Sequence, residues 1–185
     1  LDEAETLKMV VILGYFSFGQ DQNLEDESAV VAAVDNTTDW LLDKGYRNVL
    51  VELNNESNIK AYDHEILKPA RVHELLERVR SKRKNGFRLL VSTSFGGRYI
   101  PDANVVAVSD YVLIHGNGVK DPAFIKEMVE RTKAVSTYRG QPIVFNEDDH
   151  YEYAQDANNF KYAVESYVSS GYFDFRRKGE TDIKI

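Results

Sequence analysis

Short apolar, β-branched runs recur along the chain at 9–16, 48–54, 88–94, 111–115, 142–146 and 171–175. They are continuous rather than alternating, the pattern of strands covered on both faces, as in parallel sheets. The segments between them carry helix signals. Asp26-Glu27-Ser28 precedes 29–42, where Val30, Val34, Trp40 and Leu41 fall on one face and Gly45 supplies a stop. Pro69 precedes 71–84, with Val72, Leu75, Leu76 and Val79 at helical spacing and Gly86 at the end. Asp121-Pro122 opens 123–134, as expected of proline in a first turn. Asn158-Asn159 leads into 160–168, closed by Gly171, and 101–108 has room for a turn or two.

The strand starts fall 39, 40, 23, 31 and 29 residues apart. An eight-unit βα barrel spends about 31 residues per unit. The rhythm therefore predicts a single α/β domain over 1–185, a partial (β/α)8 TIM-type barrel of about six βα units. A doubly wound open sheet has similar spacing and is the rival.

Composition narrows the partners. The net charge is −7 with no basic stripe, so neither nucleic acid nor an anionic membrane surface is expected. No apolar run approaches the roughly 20 residues of a spanning helix. Met9-Val10-Val11-Ile12-Leu13 sits behind an acidic segment and reads as neither signal nor anchor. The expectation is a soluble chain with no targeting segment of its own. Because it opens at Leu1, a processed or truncated product is also an expectation. With no cysteine there is no disulfide framework or thiolate metal site.

Two strands run out in glutamate. The first reads Val49-Leu50-Val51-Glu52-Leu53-Asn54-Asn55-Glu56, the second Pro142-Ile143-Val144-Phe145-Asn146-Glu147-Asp148-Asp149-His150. Ligands collect at the carboxyl ends of parallel strands. Two carboxyl groups at one such edge are the minimum equipment for breaking a glycosidic bond. Glu56 would protonate a leaving oxygen, Asn55 would hold a sugar hydroxyl, and Glu147 would attack the anomeric carbon. A polar, solvated loop is the plain alternative for each. Tyr15, Phe16, Phe18, Tyr99 and Tyr151 lie beyond strand ends, where rings stack on sugars or plug the core. Consecutive loop residues rarely converge on one ion, so no metal is expected at Glu147, Asp148, Asp149 and His150, and no cofactor. Gly96-Gly97 and His115-Gly116-Asn117-Gly118 read as turns, and Arg176-Arg177-Lys178 as a solvated charge run.

The first motif resembles the acid/base strand of clan A glycoside hydrolases, especially the cellulase-like family five. The second resembles the nucleophile strand of the same clan. The 91 residues from Glu56 to Glu147 leave room for the three units that separate a fourth from a seventh barrel strand. Asp110-Tyr111-Val112-Leu113-Ile114-His115 then resembles a sixth strand ending in histidine, 9–16 a third and 171–175 an eighth. The phrases Ser92-Thr93-Ser94-Phe95-Gly96-Gly97 and Phe145-Asn146-Glu147-Asp148-Asp149-His150 are similar to those of bacterial cellulase-like proteins. The resemblance implies a retaining hydrolase with Glu56 as acid/base and Glu147 as nucleophile. It implies substrate contacts from Asn55, His115, Asn117, Asn146, His150 and Phe175. Asn117 stands where relatives often carry a tyrosine bonded to the nucleophile, and Phe175 where a tryptophan commonly floors the sugar site. His115 would contact substrate or orient Glu147, with an ordinary hydrogen-bonded core histidine as the plain alternative.

The resemblance leaves the first two strands without a counterpart. Open edges would then favour a homodimer through backbone pairing. The partner expected at the site is a carbohydrate. A non-catalytic carbohydrate-binding or self-assembling partial barrel is the alternative, and a metal-dependent isomerase a third reading.

Overall fold

A computed structural model describes residues 1–150 and 152–173. The strands are β1 (Val11–Phe16), β2 (Val49–Asn54), β3 (Leu90–Ser92), β4 (Val112–His115), β5 (Ile143–Glu147) and β6 (Ser169–Ser170). Between and before them lie α1 (Asp2–Thr6), α2 (Glu27–Lys44), α3 (Val72–Ser81), α4 (Ala103–Val108), α5 (Pro122–Lys133) and α6 (Asn159–Glu165). The strands form two parallel three-stranded sheets, β1-β2-β3 and β4-β5-β6. The architecture is thus mixed α/β, with every ladder parallel among the described strands.

Each sheet carries its own core. Val51, Leu53 and Val91 pack with Val30, Val34 and Leu41 of α2 and Leu75, Leu76 and Val79 of α3. Val112, Ile114, Ile143 and Phe145 pack with Ile125, Met128 and Val129 of α5 and Ala163 of α6. Asp26 caps α2 by accepting from the Ala29 amide, and Asp121 caps α5 through Ala123; such caps contribute about 1 kcal/mol each. Asp35, Asp39 and Asp43 recur every fourth residue of α2 and face Arg78, Lys82 and Lys84. These exposed pairs set the α2–α3 register more than they stabilise it.

Asp110 joins the two sheets. Its amide donates to the Val91 carbonyl at 3.0 Å, and its carboxylate accepts from the Val91 amide and from both ends of the Arg88 guanidinium. Burial works to raise this carboxyl, but Arg88, the Val91 amide and the Arg80 charge outweigh it and hold it below the usual range. Tyr111 adds a hydroxyl bond to the Val51 carbonyl at 2.7 Å.

Three local expectations need correction. The last strand is Ser169–Ser170, paired with Val144 and Phe145, and 171–173 are not strand; the rest of the expected 171–175 run lies outside the described residues. Trp40 is half exposed and stacks on Tyr46, while Thr38, Leu41 and Leu42 complete the buried face. The third helix stops at Ser81 rather than 84, because Asn85 and Gly86, both at positive φ, fold Lys84 back onto Phe87. Among the described residues no helix is long and apolar enough to cross a membrane.

Gly97 and Asn117 seal the two strand exits together. A Cβ on Gly97 would overlap the Asn117 carbonyl oxygen and lie 3.0 Å from the Asn117 Cβ. Glycine is thus needed here for close approach, beyond a simple turn. Gly97→Ala is expected to cost about 1–3 kcal/mol, read as a fall of roughly 2–4 °C in melting temperature per kcal/mol. An unchanged melt would refute this account of the contact.

Candidate active site

The carboxyl ends of the strands open on a cleft of about 720 Å³, lined by β1 and its exit loop, Glu52, Asn55, Glu56, Asn117, Glu147 and Phe173. Two backbone irregularities deliver the glutamates to it. Glu56 sits two residues past β2 with φ 50°, a left-handed conformation that costs a non-glycine residue about 1 kcal/mol or more. In β5 the register slips, so that Ile114 pairs with Phe145 but His115 pairs with Glu147. That bulge skips Asn146 and turns Glu147 toward β4.

His115, fully buried, stands between the two acids. Its Nδ1 lies 2.9 Å from Glu56 Oε1 and 3.6 Å from Glu147 Oε2. An oxygen of Glu56, an oxygen of Glu147 and a ring nitrogen of His115 all fall within 4.8 Å of one another. Burial opposes protonation of His115, yet the Glu56 bond and the charges of Glu147, Glu52 and Glu56 prevail and lift it above the ordinary imidazole value. The hydrogen bond of His115 Nδ1 is made to Glu56, with Glu147 the next carboxylate in reach. Asn117 Nδ2 donates to Glu147 Oε2 at 2.8 Å.

A third acid lies beneath this pair. Glu52 is 7% exposed, lines the cleft floor and accepts from the Ser94 hydroxyl. Burial lifts its carboxyl above the ordinary range; Glu147 and Glu56 push the same way, and Ser94 and His115 pull back without reversing it. Sequence reasoning assigned no role to Glu52 or Ser94. The available signal was an ionisable residue inside the apolar run Val49-Leu50-Val51-Glu52-Leu53.

The remaining expected residues divide. Asn55 lines the cleft, while Asn146 is displaced from the facing register by the bulge. Their Oδ1 atoms, with Asn117 Oδ1 and His115 Nε2, are buried without a hydrogen-bond partner in the protein. Buried polar atoms are seldom left unmatched, and these four are among seven such side-chain atoms in the described residues. His150 is engaged away from the glutamates: its Nδ1 lies 2.8 Å from Asp149 and 3.3 Å from Asp148. Phe175 and Tyr151 lie outside the described residues, as do Arg176, Arg177 and Lys178. Phe173 is the aromatic at that end of the cleft, a residue not singled out in advance. Tyr15, Phe16 and Phe18 also line the cleft, and Tyr99 does not. The Tyr15 hydroxyl bonds Thr38 of α2, and burial pushes it up to about 12.

Among the described residues two clusters have metal-ligand spacing, Glu56-His115-Glu147 and Asp148-Asp149-His150. The second brings together three of the four consecutive residues at which no metal is expected. Its oxygens have jobs in the fold: Asp148 Oδ1 accepts from Asn159 and the His150 amide, and Asp149 Oδ1 from the Gly118 amide. Burial holds the Asp148 carboxyl above its usual range.

No protein-family model and no curated protein sequence matches the chain. A solved GH39 β-xylosidase from Caulobacter crescentus is similar over 88% of this chain, with a TM-score of 0.55 and 20% identity. The chain spans 44% of that protein's length. At that identity the likeness is one of fold alone, to part of a TIM-barrel glycosidase. The neighbour belongs to family 39 rather than to the expected family five.

Proposed function

We propose that this chain is a carbohydrate-active enzyme of clan A type on a partial TIM-type barrel, a retaining glycoside hydrolase that uses two glutamates. The observation that carries this reading is the approach of Glu56 and Glu147 within 4.8 Å in one cleft, at the carboxyl ends of parallel strands. Retaining enzymes hold their carboxyl groups about 5–5.5 Å apart, and inverting enzymes about 6.5–9.5 Å, to leave room for water. The close approach favours retention.

In this mechanism the Glu147 carboxylate attacks the anomeric carbon as the glycosidic bond breaks. Glu56 gives its proton to the departing oxygen. Water then attacks the glycosyl ester, with Glu56 taking the proton back, and Glu147 leaves as carboxylate. Asn117 holds the attacking oxygen in line. His115, whose Nδ1 lies 2.9 Å from Glu56 Oε1, orients Glu56. Phe173 and Phe18, both lining the cleft, supply aromatic faces for a sugar ring.

The test is a panel of aryl glycosides, headed by β-xylosides because of the structural neighbour, with the anomer formed first followed by proton NMR. Release with retained configuration is the expected result. First-formed inverted sugar would overturn the nucleophilic role of Glu147. Saturable binding without release across the panel would favour the carbohydrate-binding alternative.

A further inference from the structure

The backbone of Glu56 hangs on one residue of the neighbouring strand exit. The Glu56 amide donates to Ser94 Oγ at 2.9 Å, and the Ser57 amide donates to the Ser94 carbonyl at 2.9 Å. The Asn55 carbonyl, on the other side, is tied by the Tyr62 hydroxyl. These bonds bracket the residue with φ 50°, and a non-glycine residue persists there only when its surroundings over-determine it.

Ser94 has a single hydroxyl proton. Since its oxygen accepts from Glu56, the proton must go elsewhere, and it goes to Glu52 Oε1. Glu52 thereby fixes the hydroxyl rotor with a lone pair toward the Glu56 amide. A carboxyl buried in an apolar strand is costly to keep, and this chain of bonds gives it a use.

We propose that Glu52 and Ser94 are positioning residues for the acid/base, holding Glu56 in its left-handed conformation so that its carboxyl meets His115 and faces Glu147. The inference rests on the two-glutamate reading for its catalytic consequence, and on backbone geometry alone for its structural one.

Two readouts separate these. In Ser94→Ala the Glu56 amide is expected to exchange with solvent at least about tenfold faster in native-state hydrogen exchange, with core amides unchanged. On a xyloside or other cleaved glycoside, kcat is expected to fall on the order of 10–100-fold with KM little changed. Glu52→Ala should behave like Ser94→Ala. Glu52→Gln, which keeps an acceptor oxygen for the Ser94 hydroxyl, should recover most of the loss; this variant also guards against a fold weakened by the alanine change. A Glu56 amide equally protected in Ser94→Ala overturns the proposal. So does Glu52→Gln as damaging as Glu52→Ala, or a freed amide with unchanged kcat. A wild-type chain without turnover refutes the glycosidase reading instead, and the exchange comparison still decides whether Ser94 holds Glu56.

Discussion

Glu147→Gln is expected to lower kcat on the order of 10⁴-fold or more, with the unfolding transition almost unmoved. The amide is isosteric with the carboxylate and keeps an oxygen for the Asn117 Nδ2 bond. It cannot form the glycosyl ester. Folding has little to lose, because the charge removed lies close to the carboxyls of Glu56 and Glu52. Glu147→Gly with added azide provides the positive control: azide fits the space left and is expected to yield a glycosyl azide of inverted configuration. Retained turnover in Glu147→Gln, with the fold verified by circular dichroism, would end the assignment of the nucleophile.

Glu56→Gln is expected to produce the second largest loss, and one that depends on the leaving group. General acid catalysis contributes about 10²–10⁴-fold, but only where the departing oxygen needs a proton. Alkyl and sugar aglycones should therefore lose the full factor, while a dinitrophenyl glycoside should lose little in its bond-breaking step. Breakdown of the intermediate then becomes slow, since no base activates water, and azide should accelerate it to give a glycosyl azide of retained configuration. Glutamine keeps an acceptor for His115 Nδ1, so the ring should hold its place. An equal loss on good and poor leaving groups would remove Glu56 from the acid role.

Much of the scaffold was legible in the sequence because its signals are local. Five of the six expected strands lie within two residues of their observed bounds at most ends, since continuous Val, Ile and Leu runs report burial on both faces. The α2 cap at Asp26, the Gly45 stop and the Asp121-Pro122 start stand where the chain's own chemistry puts them. The sixth strand was misread because Gly171, Tyr172 and Phe173 carry the apolar signal, whereas the ladder to β5 is made by Ser169 and Ser170 through backbone atoms that composition does not report. Trp40 was misread because a hydrophobic residue at a helix margin can finish on either side, and here Tyr46 gives it an outside partner.

The sequence by itself determined that two glutamates would leave parallel strands at the same end of the molecule. Strand direction and the strand-end positions of Asn55-Glu56 and Asn146-Glu147 are enough for that. Only the tertiary structure decided where the two carboxyls point. Glu56 is aimed by a left-handed residue held from Ser94, 38 positions away, and Ser94 is set in turn by Glu52, 42 positions before it. Glu147 is aimed by a one-residue slip against β4 that places it opposite His115. Hydrogen bonds between loops distant in sequence choose among backbone conformations of nearly equal local energy, so no pattern read along the chain contains that choice.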